Sequence, residues 1–198
     1  FPEAVGLKKI DKETLLGYGA MVFNALGPDN EFRKDAMAKG LSVLEKINKQ
    51  CLEENIDTKG LAKEIYRSIA ENSEEDQLAG MLVRSLLSAG IDTTVSAIGN
   101  LLWCLAENPE QFQLVKNDKS LVGNAVEESL RLTSPVKAFC RTSATDTEVS
   151  GVTIEEGTKI LCVLGSANTD PEVWENSYKY DVTRRTIGHL ALGVGVHN

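Results

Sequence analysis

Between Asn72 and Pro109 the chain reads NSEEDQLAGMLVRSLLSAGIDTTVSAIGNLLWCLAENP, with no internal proline and no cluster of turn residues. This stretch constrains the fold more than any other, because it reads as one long helix. Asn72 or Ser73 caps it, and Glu74, Glu75 and Asp76 place negative charge in the first turn, where the helix dipole is positive. Pro109 ends it and pushes Asn108 out of helical geometry. At ~1.5 Å of rise per residue the helix would be on the order of 50 Å long. Helices of that length are coiled coils, membrane spans or central struts. No heptad pattern is sustained, and Arg84, Ser85, Ser88, Asp92, Thr93 and Thr94 interrupt any run long enough to span a bilayer. A central strut is the expectation that remains.

The middle of this helix contradicts its ends. Ala89-Gly90-Ile91-Asp92-Thr93-Thr94 combines a glycine, which costs ~1 kcal/mol against alanine in a helix interior, with an aspartate and two β-branched threonines, all weak helix formers. A mid-helix threonine can bond back to the carbonyl four residues earlier, and Gly90 lets another surface approach the backbone, so a local opening is expected. Sequences break local rules where a site requires it. The competing reading is a tolerated kink in a purely structural helix.

The remaining elements are mostly helical. A helix is expected from about Asp11 to Phe23, then a Gly27-Pro28-Asp29-Asn30 turn. A second runs from about Asn30 to Glu54, with Phe32, Met37, Leu41, Leu44, Ile47 and Leu52 on one face. Thr58 is the expected cap of a helix from Lys59 to Ala70, and a short helix should follow Pro109 to about Lys116. Glu128 and Arg131 lie three apart on a helix that Pro135 closes; alone, such a spacing is usually a surface ion pair. From Pro135 to Gly165 the chain turns β-rich, with Val149, Val152 and Ile154 around a Ser150-Gly151 turn and a strand run over residues 158–164. The class is mainly α with a small β region.

With 29 acidic against 21 basic side chains, the formal charge of −8 argues against non-specific nucleic-acid binding, and 42% hydrophobic content is too high for disorder. Cys51, Cys104, Cys140 and Cys162 form no zinc-ligand spacing, and free thiols in a reducing cytoplasm are the simplest expectation. No amino-terminal apolar stretch reads as a signal or an anchor, so no membrane is expected.

Taken together, AGIDTT in a long helix, EESLR about forty residues later, ANTDP at 167–171 and LALGVGVHN at the end resemble the cytochrome P-450 superfamily, the haem-thiolate monooxygenases. The resemblance implies one partial catalytic domain over 1–198: two lid helices, the long central helix, the ExxR helix, β hairpins and the start of the haem-binding loop. It implies that Asp92 relays protons and Thr93 hydrogen-bonds dioxygen, with Ala89 and Gly90 beside the haem. Arg141, His189 and His197 would meet the haem propionates, Gly193 and Gly195 would let the loop pass close to the porphyrin, and Glu128 and Arg131 would be a buried structural pair. FPEAVGL, GYGAMVFNALGP, VRSLLSAGIDTT and AFCRTSATDTEVSGVTIEEG are similar to the bacterial members that oxidise para-substituted benzoates such as 4-methoxybenzoate. On that resemblance Phe23, Leu26 and Phe139 would face the substrate, and Ser85 and Ser88, helped by Arg84, would hold its carboxylate. The activity implied is O-demethylation or hydroxylation of a small aromatic carboxylate by O2. NAD(P)H would supply electrons through a ferredoxin reductase and an iron-sulfur ferredoxin, in a cytoplasmic monomer.

The chain departs from the family pattern in several places. Lys179 stands where an arginine usually completes the buried network with Glu128 and Arg131, and an ammonium cannot form the same fork. Thr169 and Leu192 replace the usual arginine and phenylalanine of their motifs, and Leu26 stands where the closer relatives carry an aromatic. The axial cysteine is expected just after Asn198, so the chain is expected to be about half of a family member, without thiolate ligation of its own. Two other classes stay open: a haem-thiolate protein of the same fold with different chemistry, and a non-catalytic fragment or pseudoenzyme.

Overall fold

The computed structural model of the chain describes residues 2–8, 10–72 and 76–194, the side chains of residues 72, 76 and 77 excepted. The chain divides into two compact units, Phe1–Val95 and Ser96–Asn198.

In the first unit, α1 (Pro2–Val5) leads to α2 (Lys12–Ala25), whose cap is Asp11: one carboxylate oxygen accepts from the Thr14 amide at 2.7 Å. Asn30 caps α3 (Glu31–Gln50) through the Arg33 amide at 3.1 Å. A 3-10 turn over Glu53–Asn55 follows, then α4 (Leu61–Asn72) and α5 (Asp76–Gly90). Thr58 does not cap α4. Its amide donates to Asp57, and Gly60, at a φ of +121°, delays the helix to Leu61. The core of this unit gathers Leu15, Tyr18, Ile47, Cys51, Val83, Leu87 and Ile91. Val83 and Leu87 are fully buried, each contributing on the order of 1.5–3 kcal/mol by leaving water.

The apolar stripe expected on α3 reaches this core only in part. Ile47 is buried, but Phe32, Met37, Leu41 and Leu52 are exposed. The helix meets α2 instead through Gly40 and Val43, where Gly40 leaves space for the Met21 thioether and Val43 lies over Gly17.

The central helix is not continuous. It is two helices, α5 and α6 (Asp92–Glu107), separated by the non-helical Ile91. The expected cap residues 73–75 lie outside the described residues, as does the Asn72 side chain. Against the sequence expectation, Leu78–Glu107 is by length and composition alone apolar enough to cross a membrane, with a mean hydropathy of 1.2. Core helices of soluble proteins meet the same criterion.

The second unit opens with the rest of α6, which ends where Asn108 leaves helical geometry and Pro109 starts α7 (Pro109–Asn117). After a 3-10 turn at Lys119–Leu121, α8 (Val122–Thr133) carries Glu128 and Arg131 and stops at Ser134, whose φ is +41°. Four short strands follow: β1 (Phe139–Thr142), β2 (Thr147–Val149), β3 (Val152–Ile154) and β4 (Lys159–Cys162). β1 pairs antiparallel with β4, and β2 with β3 through the Ser150-Gly151 turn, both residues at positive φ. The strand run ends at Cys162, earlier than expected, because Leu164–Ala167 forms the single turn α9. Cys104, Val115, Ala125, Tyr180 and Val182 form the core of this unit.

Candidate functional site

At the break between α5 and α6 the Thr93 hydroxyl donates to the Ala89 carbonyl at 2.7 Å. A side-chain donor thus serves a carbonyl within the helix, and helical bonding resumes with the Val95 amide on Ile91 O at 2.9 Å. Asp92 begins α6, where its carboxylate sits at the positive end of the helix dipole. Ala89 and Gly90 form the last turn of α5, with Thr93 one turn beyond. Ala89, Gly90, Asp92 and Thr93 are therefore brought together in one opened turn, with an acid and an alcohol side by side.

One and two turns before this break, the hydroxyls of Ser88 and Ser85 are engaged by their own helix. Ser85 Oγ donates to Met81 O and Ser88 Oγ to Ser85 O, both at 2.9 Å. Arg84 Nη1 donates to Asn48 Oδ1 at 2.7 Å, tying α5 to α3. In this arrangement their oxygens can accept, but donation to a carboxylate requires the hydroxyls to turn. The structure adds a residue that sequence reasoning missed. Tyr18 of α2 is buried, and burial pushes its phenol up while Arg84 and a hydrogen bond with Ser88 pull it back. The signal was an aromatic residue between two glycines in LLGYGA, which reads as ordinary core. Phe23 is half-exposed near the end of α2, and Leu26 lines an apolar cleft of about 280 Å3 with Met21, Met37 and Leu41.

In the second unit, Glu128 and Arg131 are fully buried and joined by a two-pronged bridge, Nε to Oε2 at 2.7 Å and Nη2 to Oε1 at 2.9 Å. Arg131 Nη1 also donates to the Asn168 and Ser177 carbonyls at 2.6 and 2.8 Å, and its guanidinium lies 5.3 Å from the centre of the Trp174 ring. The third member of the network is Arg184, not the residue at Lys179. Arg184 Nε donates to Glu128 Oε1 at 2.9 Å, and its other nitrogens hold the carbonyls of Glu175, Asn176 and Lys179. Lys179 therefore takes part only through its main chain. The second guanidinium of the network comes from an arginine five residues later, through one bond to Glu128 and three to main-chain carbonyls.

Phe139 and Arg141 share one face of β1, with the guanidinium 5.3 Å from the ring centre and both side chains exposed. Arg141 Nη1 donates only as far as its neighbour Cys140 O, at 3.0 Å. The His189 ring meets Glu127 Oε2 at 2.7 Å through Nε2, while Nδ1 accepts from the Ala191 amide at 3.2 Å, which assigns the ring proton to Nε2. Leu190 is anchored by its amide to Asn168 Oδ1, and Gly193 adopts a φ of +86°. Gly195 and His197 lie outside the described residues.

The four cysteines are all free, and burial pushes the thiols of Cys51 and Cys104 up to about 11, so neither is poised as a thiolate. Among the described residues no cluster of His, Cys, Asp and Glu could hold a metal ion. Phe139 and Arg141 do fit a planar group that carries carboxylates, since one strand face offers an apolar plate with a guanidinium beside it.

The comparisons with known proteins agree with one another. The family described as Cytochrome P450 matches residues 20–185. The chain is 44% identical to cytochrome P450 CYP199A2 of Rhodopseudomonas palustris over 197 residues, which is 100% of this chain and 48% of that protein. It is 30% identical to the biotin biosynthesis cytochrome P450 of Bacillus subtilis, over 98% of this chain and 50% of the relative. Among solved structures, P450BioI in complex with an acyl carrier protein carrying hexadec-9Z-enoic acid aligns with a TM-score of 0.86 at 26% identity, covering 99% of this chain and 52% of that one. The chain thus spans about half the length of the relatives it matches. With the helix break, the buried Glu-Arg-Arg network and these likenesses together, the chain belongs to the cytochrome P450 family.

Proposed function

We propose that this chain is the part of a haem-dependent monooxygenase that carries proton delivery and substrate orientation, acting on a small aromatic carboxylate such as a para-substituted benzoate. The observation that carries the reading is the opened turn, where the Thr93 hydroxyl occupies the Ala89 carbonyl at 2.7 Å and Asp92 stands beside it. When bound, haem supplies the redox chemistry of dioxygen. Arg141 and His189, with Gly193, Gly195 and His197 of the following loop, would hold the group, and Phe139 would wall its pocket. Both units would then belong to one catalytic domain.

Asp92 takes protons from solvent and passes them toward the Thr93 hydroxyl, which can release the Ala89 carbonyl by rotating about one bond. Ser85 and Ser88 turn their hydroxyls from Met81 O and Ser85 O toward the substrate carboxylate, with Arg84 supplying charge. Phe23 and Leu26 bound the pocket. The likeness to CYP199A2 over the whole chain supports the cytochrome P450 reading, while the benzoate assignment rests on the motif resemblance and on the two serines beside the opened turn. Electrons come from NAD(P)H through a ferredoxin reductase and an iron-sulfur ferredoxin, in a cytoplasmic monomer.

In the haem-loaded protein that carries this chain, Thr93→Ala should keep substrate affinity while product per NAD(P)H falls by at least about tenfold and peroxide rises. An unchanged product yield overturns the proton-delivery role. Binding spectra with 4-methoxybenzoate and an uncharged isostere test the carboxylate contact. A charge-assisted hydrogen bond of about 1.5–3 kcal/mol predicts roughly ten- to hundredfold weaker binding of the isostere, and equal affinity removes the benzoate assignment.

A further inference from the structure

We propose that Gly19 of α2 is a positioning residue for Asp92: its missing side chain leaves the space in which the Asp92 carboxylate lies, and so fixes the direction in which that carboxylate points. The proposal rests on the reading of Asp92 as a proton relay. A methyl carbon built on Gly19 would stand 2.6 Å from Asp92 Oδ1 and 2.9 Å from both Cγ and Oδ2, closer than real side-chain carbons come to any atom. All three outer atoms of the carboxyl group therefore lie against the Gly19 backbone, and Gly19 itself is buried.

Gly17, one residue away from Tyr18 on the same helix, provides the contrast. A methyl there would meet only the Val43 methyls, at 3.5 and 3.9 Å, which is ordinary contact. The demand for a bare backbone at position 19 is thus made by Asp92 and not by the packing of α2 as a whole. α2 cannot easily lift to make room, because Leu15, one turn before Gly19, and Tyr18, next to it, are buried in the core with Val83 and Leu87 of α5. Asp92 has two side-chain torsions, so a side chain at 19 would turn the carboxylate away and leave the helices in place. The orientation of the acid is then set by a residue seventy-three positions earlier in the chain, on a different helix.

The test is a double-mutant cycle in the haem-loaded protein that carries this chain, with Gly17→Ala as the control. Replacing a helix glycine where the space is open should raise Tm by about 1–2 °C in a protein of about twice this length, and Gly17→Ala should do so. Gly19→Ala should fail to raise Tm, or lower it, yet raise it by about 1–2 °C when introduced into Asp92→Ala, where the carboxylate is gone. Gly19→Ala should also leave KM within about twofold while product formation falls roughly ten- to hundredfold and the electrons appear as peroxide. Gly17→Ala should leave that partition unchanged. An equal Tm change for Gly19→Ala in both backgrounds overturns the proposal whatever the chemistry. If the cycle couples as described but the unsubstituted protein forms no oxygenated product, the positioning stands and the monooxygenase reading fails.

Discussion

Around Glu128 the charged groups tie their own helix to distant parts of the chain. Its carboxylate accepts from Arg131 on its own helix, from Arg184 56 residues later and from the Asp181 amide, and the two guanidiniums spend their other donors on main-chain carbonyls. Around Asp92 the polar groups are answered locally. Thr93, Ser85 and Ser88 each donate to a carbonyl three or four residues back, and each sits half-buried or exposed. The first arrangement is closed, since to break one contact strands a buried charge. The second is held by bonds that a single side-chain rotation exchanges at little cost, because a neutral hydrogen bond is worth only ~1 kcal/mol net. A scaffold needs the first kind of centre, and a group that must serve a carbonyl at rest and a substrate in turnover needs the second.

The contrast is sharpest where breaking it costs most. Arg131→Ala leaves the Glu128 carboxylate and two carbonyls without their principal donor at zero exposure, and should destabilise the protein by about 3–5 kcal/mol in denaturant unfolding. A loss under about 1 kcal/mol would mean that the network is not closed. Next in size, Arg184→Ala should cost roughly 2–3 kcal/mol, since Arg184 keeps only 12% side-chain exposure and reaches Glu128 directly. Lys179→Ala should stay within about 0.5 kcal/mol, and a larger loss would restore the lysine to the network. At the open centre, Thr93→Ala should lower stability by only about 0.5–1 kcal/mol while its effect on electron use is large, a dissociation that calorimetry beside peroxide assays can read.

The smallest effect is a pH dependence. The Thr183 hydroxyl bonded to Asp181 holds this carboxyl below its ordinary value of 3.8, with Arg184 and Lys179 adding to it against partial burial. Because the folded value is the lower one, the stability involved is present above about pH 3.8 and is lost as pH falls through the depressed value. Carbon-detected titration of the Asp181 carboxyl should give a midpoint below 3.8, and Thr183→Ala should move it upward.

Much of this was legible in the residues. The helices that start at Asp11 and Asn30 were expected near those residues, the glycine and threonines of AGIDTT announced a break, and EESLR announced a pair on one helical face, because these signals act within one turn of chain. What escaped acts at long range. The arginine that reaches Glu128 could not be told from Lys179 by spacing, since the fold of 175–184 decides which side chain turns inward. Position 19 looked like a helix glycine of no account until Asp92 was seen against it. The α3 stripe misled for a related reason: periodicity shows which face is apolar, whereas contact with α2 is made by Gly40 and Val43, one turn before Leu44 and Ile47, and leaves Phe32, Met37 and Leu41 exposed.

The two guanidiniums at Glu128 grip the segment after α9 by its peptide groups, at Asn168, Glu175, Asn176, Ser177 and Lys179. Peptide carbonyls are the same whatever side chain they carry, so the exposed positions Glu175 and Lys179 can drift in evolution without loosening the grip. Insertions or deletions between 168 and 184 cannot, because they move the carbonyls themselves. Variation in this segment should therefore be rich in substitutions and poor in changes of length.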